Sequence, residues 1–336
     1  MPDTILDFEQ PIAQLEAQIA AIERQAATEG VDRSREIEAL RSQVHRLLER
    51  ICSNLTPWDR TLLARHPRRP YTLDLIRLMC DEFLELHGDR LHLDDGAMVG
   101  GIARLDGQYC VVLGQQKGRD IHERQQRNFG SARPEGYRKA MRLMRLAEKF
   151  GHPVLCLVDT PAADCSVHAE EHGISSAIAH SMRDAFLLRV PIVVAIIGEG
   201  GSGGAIGIGV GDRVLMLEHA IYSVIPPEGC AAILWKDPKL GPQAAEQLRL
   251  TAADARELGV IDEIVPEPLG GAHRDPDAVA RSLRAAVVRH FDELRALPVE
   301  ALLEQRYQRF RRIGPTRDES SAPSSRDGRG NSRQTP

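Results

Sequence analysis

None of the six cysteines in this 336-residue chain forms a Cys-x-x-Cys pair. They are scattered at positions 52, 80, 110, 156, 165 and 230, so neither a zinc ribbon nor a disulfide framework is indicated. The N-terminus lacks the pattern of a secretory leader, and no apolar run approaches the ~20 residues of a membrane span. There is no basic excess either. Lys and Arg number 43 against 48 Asp and Glu, a formal net charge of −5, which argues against general nucleic-acid binding. These absences predict a protein of a reducing cytoplasm with no membrane partner and no nucleic-acid partner. Hydrophobic residues make up 42%, ample for a core, and the length suits one large domain or two smaller ones.

Phe8, Ile12, Leu15, Ile19 and Ile22 recur at steps of three and four, which places them on one helical stripe. A second stripe runs from Ile37 through Leu40, Val44, Leu47 and Ile51 to Leu55, after a break at Gly30-Val31-Asp32. The pair predicts a helical hairpin. A basic, proline-rich run at Arg65 to Pro70 reads as a boundary. Helical periodicity is expected over 71–86, 134–150, 174–188, 242–258 and 275–294. Strands are expected over 98–105, 109–114, 153–158, 192–197, 213–217 and 220–225. Strands alternating with helices predict an α/β fold with a largely parallel sheet. Beyond Gly314 almost nothing is apolar, and that tail is expected to be disordered.

The most informative segment is Gly198-Glu199-Gly200-Gly201-Ser202-Gly203-Gly204-Ala205, directly after the apolar run Val190 to Ile197. A buried strand closed by glycines and followed by a short helix aims unpaired backbone N–H groups at one point. Three motifs fit it. Gly198, Gly200 and Gly203 spell a dinucleotide fingerprint, with Glu218 at the end of a later strand as its ribose-binding acid. Gly200, Ser202 and Gly204 spell the nucleophile elbow of a serine hydrolase. The third reading is an oxyanion hole with no nucleophile. A glycine turn needed only for close packing remains the plain alternative.

Longer strings resemble the carboxyltransferase alpha subunit of bacterial acetyl-CoA carboxylase. They include Leu6-Asp7-Phe8-Glu9-Gln10-Pro11-Ile12, Arg65-His66-Pro67, Arg69-Pro70-Tyr71-Thr72-Leu73-Asp74 and Gly88-Asp89-Arg90. They continue through Val99-Gly100-Gly101-Ile102-Ala103, Gln116-Lys117-Gly118-Arg119 and Pro134-Glu135-Gly136-Tyr137-Arg138-Lys139-Ala140. Beyond the glycine segment come Pro227-Glu228-Gly229-Cys230, Ile233-Leu234-Trp235-Lys236 and Ile264-Val265-Pro266-Glu267-Pro268-Leu269-Gly270-Gly271-Ala272-His273. The resemblance covers about residues 5–313.

It implies a crotonase-like ββα-spiral over 71–313, with the hairpin and linker at 1–70 and the tail at 314–336. It implies pairing with a beta subunit as α2β2, alongside a biotin carboxyl carrier protein and biotin carboxylase. Such an enzyme moves a carboxyl group from carboxybiotin to acetyl-CoA, giving malonyl-CoA for fatty acid synthesis. Zinc is implied in the beta subunit and no metal in this chain. The ureido oxygen gains negative charge when carboxybiotin releases CO2. By resemblance the backbone of Gly203, Gly204 and Ala205 stabilises it, a contribution of roughly 3–4 kcal/mol per donor. Gly200, Gly201, Pro161, Ala162, Lys117, Arg119, Glu228 and Gly229 are the implied substrate-binding residues. Ser202 is then a turn residue.

The chain departs from the family at one loop. Where Asp-Thr-Pro-Gly-Ala is usual, with Pro-Gly soon after, it reads Asp159-Thr160-Pro161-Ala162-Ala163-Asp164-Cys165-Ser166-Val167-His168. A family Ser-Pro-Glu-Gly has become Pro226-Pro227-Glu228-Gly229. Asp164 adds negative charge beside a site that must stabilise an anion. The loop also yields His168-Ala169-Glu170-Glu171-His172, an H-x-x-E-H metallopeptidase pattern. Cys165, His168 and His172 stand at spacings that suit a shared metal, and a Ser202–His168–Asp164 triad can be drawn. Solvated or helix-capping histidines are the simpler reading. Three functional readings follow: a working alpha subunit, a specialised copy with altered inhibitor tolerance or acyl preference, and a non-catalytic assembly subunit. In the last, the hairpin at 8–55 and the Ile233–Lys236 region carry partner binding.

Overall fold

The computed structural model describes residues 4–314. The expected disorder beyond Gly314 lies outside the described residues.

Two amphipathic helices, α1 (Gln10–Glu29) and α2 (Ser34–Cys52), form the hairpin. Gly30 ends α1 in the left-handed conformation, φ 66°, which glycine adopts without strain. Two short helices follow, α3 (Pro57–Ala64) and α4 (Thr72–Met79). The sequence periodicity predicts helix to residue 86. Instead Glu82–Glu85 forms β1, because its backbone pairs antiparallel with the next strand. The basic run at 65–70 is no exposed linker: His66 and Arg69 are both buried.

The sheet takes β2 (Met98–Leu105), β3 (Gln108–Gln115), β4 (Val154–Thr160), β5 (Ile192–Gly201), β6 (Arg213–Leu217), β7 (Ile221–Ser223) and β8 (Glu263–Val265). Its order is β1-β2-β3-β4-β5-β6-β8, with β7 pairing to β5. β1 pairs with β2 and β2 with β3 antiparallel, and the remaining strand pairs are parallel. Every residue of β4 and β5 is buried, as the β-branched sequence requires for central parallel strands.

Helices cover the sheet and the loops around it: α5 (Ile121–Gln126), α6 (Pro134–Phe150), α7 (Val167–Glu171), α8 (Ile174–Leu187), α9 (Ser202–Ile206) and α10 (Pro227–Trp235). Then come α11 (Gly241–Leu248), α12 (Ala252–Glu257), α13 (Pro276–Arg295) and α14 (Val299–Arg311). A single helix was expected over 242–258. The chain breaks it at Arg249, φ 49°, and restarts with a Thr251–Asp254 capping box.

Candidate active site

Strand β5 continues past Ile197 to Gly201, further than its apolar run predicts. The extra residues are held because Glu199, Gly200 and Gly201 pair with Ile221, Tyr222 and Ser223 of β7. Ser202 then turns the chain at φ 51°, and α9 begins. Parallel β4 ends beside β5, with Thr160 opposite Gly200 after a register shift. The loop from Pro161 therefore emerges next to the glycine segment, at the carboxyl ends of the strands where α/β folds bind ligands.

The glycines have steric reasons. A Cβ on Gly204 would lie 2.5 Å from the Ala162 carbonyl carbon and 2.7 Å from the Ala163 nitrogen. One on Gly201 would collide with the Pro161 carbonyl. The Gly204 carbonyl accepts from Gln115 Nε2 at 3.0 Å and from the Tyr137 hydroxyl at 3.3 Å. In a trans peptide the N–H of Ala205 points opposite to that carbonyl. Among the described residues the amides of Gly203 and Gly204 donate to no side chain and to no carbonyl outside α9. First-turn amides of a helix have no partner within it.

Beneath this segment runs a chain of charges. Lys117 Nζ lies 2.7 Å from both Asp159 Oδ1 and Glu199 Oε2. Arg65 Nε donates to Glu199 Oε1 at 2.7 Å, and its Nη1 donates to Glu228 Oε1 at 2.5 Å. Asp159 Oδ1 also accepts the Glu199 amide at 2.9 Å, and the Asp159 amide donates to Gln115 Oε1 at 3.1 Å. Gln115 thus joins the charge network to the Gly204 carbonyl. Burial alone would raise the Glu199 pKa, but Lys117 and Arg65 outweigh it and hold the carboxyl at about 2. Burial acts to lower the Lys117 and Arg65 pKa values. Their carboxylate partners overcome it and move both upward.

Of the predicted substrate residues, Pro161, Ala162, Gly200, Gly201 and the Gly203–Ala205 stretch come together. Lys117 and Glu228 join them through the ion pairs, with Gly229 beside Glu228 in the first turn of α10. The ammonium of Lys117 is engaged by two carboxylates rather than open. Arg119 stands apart. It donates to the Pro67 and Arg69 carbonyls, pairs with Asp74 and stacks 3.9 Å over the Tyr71 ring. Sequence reading missed Arg65, Asp159, Glu199 and Gln115. Their spacing in the chain carries no sign that they meet.

The rival motifs do not assemble. Helix α9 spans only five residues, too short for a dinucleotide crossover. Glu218 Oε2 instead accepts the Glu267 amide at 3.2 Å. Among the described residues no hydrogen bond links Ser202, His168 and Asp164. The charge of Asp164 is balanced: Arg133 Nε lies 3.5 Å from its Oδ2, and its Oδ1 accepts the Ser166 amide at 2.9 Å. Ala162 stays out of the left-handed region, so the loop does not need a glycine there.

The profile of a family described as "Acetyl co-enzyme A carboxylase carboxyltransferase-like" matches residues 5–314. The chain belongs to this family. Curated relatives named acetyl-coenzyme A carboxylase carboxyl transferase subunit alpha include one from Cyanothece sp., 54% identical over 92% of this chain and 95% of its own length. Another, from Xanthomonas campestris pv. campestris, is 51% identical over 94% and 98%. Among solved structures, the transcarboxylase 12S core matches with a TM-score of 0.55 at 17% identity, over 68% of this chain and 43% of that one. A Pseudomonas malonate decarboxylase hetero-tetramer chain matches at 0.54 and 17%, over 66% and 90%. At that identity the likeness is one of fold, and the crotonase-like reading of the α/β architecture stands. No helix among the described residues is long and apolar enough to cross a membrane.

Proposed function

We propose that this chain is the alpha subunit of a biotin-dependent carboxyltransferase, transferring a carboxyl group from carboxybiotin on its carrier protein to acetyl-CoA. The observation that carries this is the α9 terminus, with free amides at Gly203 and Gly204 and an Ala205 amide turned away from the Gln115–Tyr137 side. Negative charge developing on a ureido oxygen is what such donors stabilise. Under this reading a bound biotin would supply its own basic nitrogen, and the part left to this chain is to hold and orient the group and stabilise its developing charge. Gln115 and Tyr137 hold the Gly204 carbonyl inward, and the Asp159–Lys117–Glu199–Arg65 network holds Gln115 and the end of β5. Preorganised dipoles of this kind need no rearrangement as charge appears.

The proposed partner is a beta subunit in an α2β2 assembly, with zinc on the beta side. Helix α10 supports this, since Ile233 and Leu234 on it are each 63% exposed. Large exposed apolar residues of this kind mark interaction surfaces. The test is formation of malonyl-CoA by the chain with purified beta subunit and carboxybiotinylated carrier. An α–β complex without turnover would reject catalysis and leave only assembly.

A second reading has its own support. The backbone of the altered residue Ala162 and of its neighbour Ala163 borders the position a Cβ on Gly204 would occupy, so any shift of this loop's main chain would reach the oxyanion segment. Under that reading the chain is a copy with altered inhibitor tolerance or acyl preference.

A further inference from the structure

The H-x-x-E-H pattern does not assemble as its spacing suggests, but one of its histidines enters a different cluster. His172 lies just past the end of α7. Its Nδ1 is buried, makes no hydrogen bond, and sits 3.3 Å from Oε1 of the buried Glu135 in the first turn of α6. From the 88–95 loop His92 approaches edge-on, its ring centre 4.7 Å from that of His172. One ligand atom from each of His92, Glu135 and His172 falls within 4.8 Å of the others. His168, one helical turn before His172, places its ring edge-on with centres 4.0 Å apart. Cys165 belongs to no such group among the described residues.

We infer that His92, Glu135 and His172 form a binding site for a divalent transition metal, zinc being the ion whose geometry they suit. A tetrahedral site with ligand bonds of about 2.0–2.1 Å has edges of about 3.3 Å, the separation already present between His172 and Glu135. Two imidazoles and one carboxylate leave a fourth position for water or for His168. Imidazole donors select zinc, cobalt, nickel or copper over magnesium or calcium.

The frame that carries these ligands is rigid. Arg138 donates to Asp89 Oδ2 at 2.8 Å, to Glu135 Oε1 at 3.1 Å and to the His172 carbonyl at 3.2 Å. One guanidinium thereby ties together the three elements that supply the ligands, and hydrogen bonds of this kind orient ligands around a metal. With neutral histidines, Asp89, Glu135 and Arg138 sum to one negative charge, which a divalent cation reverses. Arg90 and Arg142 line the adjoining cavity, so affinity must come from the imidazoles rather than from bulk charge. That cavity, about 530 Å³ and bordered by His172, gives the ion a path in. The inference runs against the expectation of no metal in this chain. It does not depend on carboxyl transfer, although a bound ion would tie α7, and the altered loop leading into it, to the 88–95 loop.

The experiment titrates the full-length, chelator-stripped chain with Zn2+ and Co2+, by calorimetry and by cobalt absorption. One equivalent is expected, with the strong visible absorption of four-coordinate cobalt. His172→Ala and His92→Ala are each expected to weaken binding at least tenfold, whereas Cys165→Ser leaves it unchanged. Both histidines are at least partly exposed, and thermal unfolding checks that the variants fold. Amide exchange on the wild-type chain gives the location without any mutation, with metal-dependent slowing expected at 88–95 and 167–173. Absence of saturable binding overturns the proposal. So does binding that both substitutions leave intact (an adventitious ion only), or protection confined to a second group of potential ligands elsewhere, the buried Glu9, His66 and His273.

Discussion

Gly204→Ala tests the oxyanion reading most directly. The added methyl would stand 2.5, 2.7 and 2.8 Å from the Ala162 carbon, the Ala163 nitrogen and the Ala162 oxygen. Ordinary contact begins at 3.4 Å, so about 0.9 Å must be relieved. All three atoms are backbone, and no rotamer change absorbs the clash. Either the loop or α9 has to move. A misplacement of about 1 Å at a reacting centre can cost about 10²-fold, and removal of one oxyanion donor costs about 10²–10³-fold in kcat. The expected loss is therefore about 10²-fold, appearing in kcat for malonyl-CoA formation with little change in KM for acetyl-CoA. Donors that act on developing charge are felt in the transition state rather than in substrate binding. Gly203→Ala is the internal comparison, because the same methyl there meets only Ile178 Cδ1 at 3.5 Å and leaves the backbone in place. It is expected to lose less. Gly204→Ala with normal kcat in a normally assembled complex, or a loss confined to KM, would refute the reasoning.

Lys117→Met removes the cation shared by Asp159 and Glu199, leaving two buried carboxylates short of a partner. Breaking such a pair costs about 3–5 kcal/mol, so the chain should unfold at markedly lower denaturant, and an unchanged midpoint would contradict the network. Stability should also fall in mild acid through His66, where burial first and His273 second lower the pKa from 6.5 to about 4. The unfolded chain takes up that proton below about pH 6.5 and the folded chain only near 4. About 3 kcal/mol is therefore lost between those values, and His66→Gln should flatten that part of the stability–pH curve. Restoring Gly, Pro and Gly at Ala162, Cys165 and Ser166 should change inhibitor sensitivity or acyl preference, measured side by side with the parent. If neither changes, the specialised-copy reading fails.

What could be read from sequence divides along a physical line. Periodic burial is local, so α6 over 134–150 and β6 over 213–217 were placed to the residue. Strand β1 reads as helix from sequence because four residues with alternating exposure are too short to outweigh the helical stripe before them. Its strand character comes from the β2 edge, which no local pattern reveals. The same holds at the site. Glycines announce themselves, since close approach excludes other residues, and the segment at 198–205 was legible for that reason. Of the charges that support it, Lys117 and Glu228 are implied by the family resemblance, whereas Arg65, Asp159 and Glu199 are not. They come from separate stretches of chain and meet Lys117 and Glu228 only in the folded state. Arg65 in particular sat in a run read as a boundary, because basic residues beside prolines look solvated until their partners are known.

The loop at 161–168 shows why a departure from a family pattern does not by itself imply damage. Proximity of Asp164 to an anion-stabilising site is unfavourable only if its charge is uncompensated, and Arg133 lies 3.5 Å away. Replacement of glycine by Ala162 is costly only where φ is positive, and here it is not. What the loop must preserve is the close approach of the Ala162 and Ala163 backbone to Gly204, which leaves no room for a Cβ there and depends on main-chain path rather than on side-chain identity. Thr160 Oγ1 fixes that path by donating to the Ala162 carbonyl at 2.6 Å. The loop has therefore changed its chemistry while keeping the backbone course that Gly204 requires. It follows that Thr160→Val, which frees the Ala162 carbonyl, should disturb turnover more than reversion of Ala162 to glycine does.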